Sequence, residues 1–256
     1  MHQAKGRLAG RRALVTGGGR GIGRAIALAL AREGADLAVV SRTAAQNEAV
    51  AREAGAAGRK AIALAADVTL PDDVRAMAAA VQKDLGPVDI LVNCAGGAES
   101  APFTRTDLAL WERTMAANLT SVYLCTTAFL PAMIERGWGR VINVASNAGL
   151  AGYAYVSAYC AAKHGVVGLT RAVALEVAGK GVTINALCPG YVETDLTRKS
   201  ADRIAARTGR SVAAAMEAMA GSNPSGRLLQ PEQVAAAALR LAVDAGASSN
   251  GEAVSL

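Results

Sequence analysis

The chain has only two histidines, His2 and His164, which excludes a histidine-rich metal site. Its four cysteines, Cys94, Cys125, Cys160 and Cys188, form no Cys-x-x-Cys pair. They read as reduced, partly buried thiols of a cytoplasmic protein. Aromatic residues make up 4% of the sequence, and the 27 Lys and Arg are scattered. Pairs such as Arg11-Arg12 and Arg59-Lys60 occur, but no long basic run. Nucleic-acid binding ordinarily uses a concentrated basic patch with aromatics, so no nucleic-acid partner is expected. No apolar run approaches the roughly 18 residues that span a bilayer, so no membrane association is expected. The opening Met1-His2-Gln3-Ala4-Lys5-Gly6-Arg7 has no apolar core behind its charges and does not read as a secretory signal.

What is present is ample apolar material: 52% of 256 residues are hydrophobic, enough for a buried core. The net charge of +6 suits a phosphate-bearing cofactor or an acidic substrate. Short apolar runs alternate with longer amphipathic stretches. Ala13-Leu14-Val15, Leu37-Ala38-Val39-Val40, Ala61-Ile62-Ala63-Leu64, Ile90-Leu91-Val92, Val141-Ile142-Asn143-Val144 and Val182-Thr183-Ile184-Asn185-Ala186-Leu187 read as buried strands. Residues 23–33, 71–85 and 107–135 read as helices between them. Continuous apolar strands alternating with helices predict an α/β fold, a doubly wound parallel sheet covered on both faces. Ligands then bind beyond the carboxyl ends of the strands.

No linker is visible, so residues 1–256 are expected to form a single domain, with Asn223-Pro224-Ser225-Gly226 as a turn. Residues 194–220 read as helical and follow a strand. An insertion at about 194–222 is expected to be a lid, the other reading being an exposed helical pair. Pro231–Val243 reads as a last helix, with a short final strand near Val254.

Thr16-Gly17-Gly18-Gly19-Arg20-Gly21-Ile22-Gly23 follows the first strand and opens the first helix. Glycines there let the backbone turn tightly and approach a pyrophosphate, and the helix N-terminus favours its charge. No Gly-Lys-Ser/Thr closes the loop, so it is not a Walker-type site. The second strand ends in Val40-Ser41-Arg42, where a dinucleotide fold reads the adenosine ribose. An acidic residue there would repel a 2′-phosphate, whereas Arg42, with Arg20 in the loop, suits one. NADP(H) is therefore expected over NAD(H). Asp67-Val68 and Asn93-Cys94-Ala95-Gly96 follow the third and fourth strands. Asp67 could accept from an adenine amino group, while Asn93 could equally brace neighbouring strands.

Tyr159-Cys160-Ala161-Ala162-Lys163, with Ser146 ahead of it, puts a phenol and an ammonium one helical turn apart. A neighbouring cation favours phenolate, so Lys163 is expected to lower the pKa of Tyr159 from about 10. A tyrosine tuned in this way can exchange a proton with a carbonyl or alcohol oxygen.

Together, Thr16 to Gly23, Asn93 to Gly96, Asn118, Ser146, Tyr159-x-x-x-Lys163 and Pro189-Gly190 resemble the short-chain dehydrogenase/reductase family, in family order and over nearly the whole chain. The resemblance implies one Rossmann-type domain with a seven-stranded parallel sheet, usually a homotetramer. It implies that Tyr159 is the acid/base, that Lys163 lowers its pKa and holds the nicotinamide ribose, and that Ser146 fixes the substrate oxygen. Asn118 would hold a water linking Lys163 to solvent, or else kink or cap its helix. Pro189, Gly190, Val192 and Thr194 would seat the nicotinamide carboxamide. The terminal Asn250-Gly251-Glu252-Ala253-Val254-Ser255-Leu256 departs from the Asp-Gly-Gly segment common in the family, as does Cys94 from a common Asn.

Arg20 to Gly23, Cys188 to Thr194 and Gly226-Arg227-Leu228 look most like 3-oxoacyl reductases and polyketide-type ketoreductases. The implied activity is hydride transfer from NADPH to a ketone, a 3-oxoacyl thioester or related carbonyl, reversible to alcohol oxidation. The alternatives are an NAD-dependent secondary-alcohol or 3-hydroxyacyl dehydrogenase and, more distantly, a non-catalytic dinucleotide-binding protein. For a carrier-borne substrate, Arg136 and Lys180 are the candidate basic residues at the pocket mouth, the other reading being ordinary solvated charges.

Overall fold

The computed structural model describes residues 6–243 and 248–256; the first five residues, with His2, lie outside them. Seven parallel strands stand in the order β3-β2-β1-β4-β5-β6-β7. They are β1 (Arg12–Thr16), β2 (Asp36–Ser41), β3 (Ala61–Ala65), β4 (Ile90–Asn93), β5 (Gly139–Val144), β6 (Val182–Cys188) and β7 (Ala253–Ser255). The helices between them are α1 (Gly21–Arg32), α2 (Ala44–Ala56), α3 (Pro71–Asp84), α4 (Leu108–Met115), α5 (Ser121–Glu135) and α6 (Ser157–Glu176). After β6 come α7 (Asp195–Thr208), α8 (Val212–Gly221) and α9 (Pro231–Val243). This is the doubly wound sheet expected from the sequence.

The strand periodicity explains the two layers. Ala13, Val15, Leu37, Val39, Ile90, Val92, Ile142 and Val144 face a core shared with α1, α2 and α9. Leu14, Ala38, Val40, Leu91, Val141 and Ile184 face the opposite core, under α3 and α5. Each fully buried valine, leucine or isoleucine among them contributes roughly 1.5–3 kcal/mol relative to exposure. Because the order reverses between β1 and β4, the loops after these strands diverge and leave a crevice at their carboxyl ends.

Two elements differ from the periodicity reading. Residues 107–135, expected as one regular helix, contain a π segment at Ala116–Thr120, where the Ser121 N–H bonds the Ala116 carbonyl. Asp107 caps the start by accepting from the Leu110 N–H at 2.7 Å. Leu108–Glu135 is also long and apolar enough by composition to cross a membrane, although no uninterrupted apolar run announces it. Its α5 packs against α3, β4 and β5, and its first part packs against α6, while Leu108 and Tyr123 stay exposed. Residues 194–220 form two helices, broken where Gly209 adopts φ 72° and closes α7 as a left-handed cap.

Candidate active site

A cleft of about 810 Å³ opens along the carboxyl ends of the strands. The loop after β1 forms its floor. Gly17 (φ 64°) and Gly21 (φ 52°) take left-handed conformations. A Cβ on Gly23 would collide with the Gly17 carbonyl, and one on Gly17 would come within 2.9 Å of the Cys94 carbonyl. The loop therefore presents bare backbone, ahead of the α1 N-terminus, to the cleft. This cradle fits a diphosphate, and a side chain on it would not. The hydroxyl of Thr16 accepts from the N–H groups of Cys94 (3.1 Å) and Ala95 (3.2 Å), which pins the loop after β4 against it.

At the end of β2, Ser41 and Arg42 line the same cleft, as does Arg20. Neither arginine side chain has a hydrogen-bond or ion-pair partner among the described residues, and both are exposed. Ser41 donates to Asn47 Oδ1 at 2.5 Å, while Asn47 Nδ2 bonds the carbonyls of Ser41 (3.0 Å) and Leu64 (2.7 Å). Asn47 is completely buried, and it locks the ends of β2 and β3 together. Asp67 and Val68 line the cleft beyond β3; Asp67 Oδ1 already accepts from the Thr69 N–H and hydroxyl.

On the other arm, Ser146 follows β5, and α6 supplies Tyr159 and Lys163. All three line the cleft. Lys163 is buried and donates to the Val144 carbonyl at 2.8 Å. Its ammonium nitrogen sits 5.6 Å from the centre of the Tyr159 ring. Burial pushes Lys163 down to about 8. It also pushes Tyr159 up to about 12, with the hydrogen bond from Ser146 pulling the other way. The expected lowering of Tyr159 by Lys163 is therefore corrected: burial of the phenol dominates, and the group that opposes it is Ser146 rather than Lys163. The Ser146 hydroxyl also accepts from the Ala148 N–H at 3.1 Å, which holds it beside the Tyr159 phenol.

Pro189, Gly190, Val192 and Thr194 line the cleft after β6, and Ala95 and Gly96 after β4. Thr194 caps α7 by accepting from Thr197 N. Asn223, which the sequence offered only as part of a turn, holds this segment. Its Oδ1 accepts from Tyr191 N at 2.8 Å, and its Nδ2 bonds the carbonyls of Tyr191 and Arg227. A Cβ on Gly190 would collide with that side chain.

Two predicted residues stand behind the cleft wall. Asn93 is buried and donates to Thr126 (3.1 Å) and Asn143 (2.9 Å), so its side chain braces strands as the second sequence reading allowed. Asn118, in the π segment, bonds both ways with Gly97 (3.1 and 2.9 Å) and donates to the Thr114 carbonyl (2.9 Å). The basic residues expected at the pocket mouth lie at the opposite end of the sheet. Arg136 bonds the Val88 carbonyl and pairs with Asp89 just before β4, and Lys180 sits just before β6. Sequence proximity to a helix end carries no information about which end of the sheet that is.

The family model described as short chain dehydrogenase matches residues 11–205. The chain belongs to that family. This short-chain dehydrogenase is 40% identical over 248 residues to D-beta-hydroxybutyrate dehydrogenase of Rhizobium meliloti (strain 1021), covering 95% of this chain and 96% of that one. It is 38% identical over 245 residues to a 3-oxoacyl-[acyl-carrier-protein] reductase of Vibrio cholerae, covering 96% and 95%. Among solved structures it superposes on actinorhodin polyketide ketoreductase with NADPH at a TM-score of 0.93 and 35% identity, covering 99% and 97%. The dehydrogenase is therefore an oxidoreductase of carbonyl and alcohol groups, from a family that binds a nicotinamide dinucleotide.

Proposed function

We propose that this dehydrogenase is an NADPH-dependent reductase of ketones, 3-oxoacyl thioesters or related carbonyls, running in reverse as an alcohol dehydrogenase. The observation that carries the reading is one cleft with Ser146, Tyr159 and Lys163 on one arm and the two uncommitted guanidinium groups of Arg20 and Arg42 on the other. The solved relative with NADPH supports the choice of dinucleotide. The dinucleotide supplies the hydride.

The protein's own residues then act as follows. Gly17, Gly19, Arg20, Gly21, Ile22 and Gly23 cradle the diphosphate, while Ser41 and Arg42 take the 2′-phosphate. Asp67 and Val68 border the adenine, with the backbone of Ala95 and Gly96 beside it. Pro189, Gly190, Val192 and Thr194 hold the carboxamide. Ser146 donates to the substrate oxygen and fixes its position. Tyr159, a phenol held protonated by burial, gives its proton to that oxygen as the carbonyl carbon is reduced. Lys163, drawn towards neutrality, stabilises the resulting phenolate and helps to return the proton. Because the Asn118 side chain is committed to the backbone of Gly97 and Thr114, a relay water falls to its main chain.

The same reading makes α7 and α8 a lid on a single domain. It also makes the enzyme a cytoplasmic homotetramer. Four free thiols support the location. An apolar groove between α5 and α6, with Leu119, Tyr123, Gly165 and Leu169, supports the assembly. The test is oxidation of NADPH and NADH by the purified protein against a panel of ketones that includes 3-oxoacyl thioesters. Turnover with NADPH is the expected result. Turnover with NADH alone overturns the cofactor assignment, and dinucleotide binding without turnover overturns the reductase.

A further inference from the structure

The rim of the cleft carries charge that the proposed reduction does not use. Arg203 and Arg207 stand one turn apart on α7 and line the cleft. Arg203 Nη1 donates to the Ala98 carbonyl at 3.2 Å, and Arg207 Nη1 donates to the Ser100 carbonyl at 2.9 Å. Helix α7 is thereby fastened to the loop after β4. That loop is also held from the β5–α6 side, where the Tyr155 carbonyl accepts from Ala101 N at 2.8 Å. Tyr155 has φ 67°, the only positive φ of a non-glycine among the described residues. Such a conformation is strained for a residue with a side chain and persists only where the surroundings enforce it. The two guanidinium groups are thus set in position.

Neither is neutralised by an acidic partner among the described residues. Of the acidic side chains lining this end, Glu99 is 3.2 Å from Arg113, and Asp195 lies in the first turn of α7, two turns from Arg203. Arg198, on the same helix, faces Glu193 at 4.0 Å. A guanidinium has five N–H donors, and one from each arginine goes to a carbonyl. The remaining donors of each guanidinium are left for an oxyanion. Arg20 and Arg42 belong to the ends of β1 and β2, so this pair is distinct from the ribose-phosphate position.

We infer that Arg203 and Arg207 form an anion subsite. On the reductase reading above, the substrate carries a carboxylate or phosphate remote from the reacting carbonyl, and α7 clasps it. Two sources share that chemistry: the carboxylate of a short oxo acid and the phosphate of a pantetheine-type carrier arm.

The experiment compares two substrate pairs, each with one member lacking the charge. The first pair is acetoacetate and methyl acetoacetate. The second is the 3-oxobutanoyl thioester of phosphopantetheine and that of N-acetylcysteamine. The variants are Arg203→Gln, Arg207→Gln and the double change. Glutamine keeps an N–H for the carbonyl and loses the charge. The double variant is expected to lower the charged-to-neutral ratio of kcat/KM by about 10- to 100-fold in one pair, mainly through KM. The pair affected names the source. An unchanged ratio in both pairs overturns the subsite even if all rates fall together. If the wild type reduces nothing with either dinucleotide, the reductase reading fails, and calorimetric titration with acetoacetate and with phosphopantetheine decides the subsite. Binding lost in the double variant upholds it; equal or absent binding in both proteins overturns it.

Discussion

The two arms of the cleft are built on different principles. The arm at β1 to β3 is a backbone surface: glycines whose Cβ atoms have no room, a helix N-terminus, and side chains such as Asn47 that tie strand ends together. The arm at β4 to β6 is a side-chain surface. Ser146 comes from the β5 loop, Tyr159 and Lys163 from α6, and Arg203 and Arg207 from α7. The first arm can hold a ligand common to many reactions because backbone N–H groups do not depend on residue identity. In the proposed reaction the second arm sets the chemistry and the substrate, because its groups are titratable, charged and individually replaceable.

The largest expected effect breaks the second arm and leaves the first intact. Tyr159→Phe removes the transferable proton at constant shape. It should lower kcat by about 10²- to 10⁴-fold, with NADPH affinity nearly unchanged in a fluorescence titration. Near-normal turnover would dissolve the division between the arms.

The converse test sits at the β2 end. Arg42→Ala should weaken NADPH binding by about 10- to 100-fold relative to NADH, without lowering the rate at saturating cofactor. Equal losses for the two dinucleotides would place the 2′-phosphate elsewhere.

The smallest effect concerns stability. Folded Lys163 titrates near 8, below its ordinary 10.5, so between those values the unfolded chain binds more protons than the native one. This group therefore makes the protein more stable as pH rises from about 8 to 10.5. Tyr159, raised from 10.0 to about 12, acts in the opposite direction above pH 10. Denaturant melts of the wild type and Lys163→Met between pH 8 and 10 should show a rising stability in the former and a flatter profile in the latter. Parallel profiles would mean that Lys163 is not the buried cation.

The first arm was legible because its signals are local. A strand, a glycine loop and a helix lie contiguously from Arg12 to Arg32, and Gly17, Gly18, Gly19 and Gly23 mark places with no room for a side chain. Tyr159 and Lys163 were legible for a similar reason, one helical turn being a local spacing. What escaped was whatever depends on direction through the fold. Asn47, Thr16 and Asn223 act by reaching main-chain groups of other segments, and polar residues of this kind are common in any sequence. Arg136 and Lys180 looked like mouth residues because a linear sequence does not say which end of a strand a nearby charge adorns. The sign of the Tyr159 shift was missed for a related reason: spacing reveals a neighbouring charge but not the desolvation of both groups.

The order of strands and helices, the glycine loop and the Tyr159–Lys163 pair proposed for acid/base chemistry were legible in the sequence itself, through apolar periodicity, absent side chains and one-turn spacing. The tertiary structure decided the rest. It chose which asparagines became braces, which arginines reached the cleft and how far burial shifted the proton-bearing groups. These outcomes depend on segments up to about 100 residues apart meeting in a desolvated space, as Arg207 and Ser100 do, and no local pattern encodes that meeting.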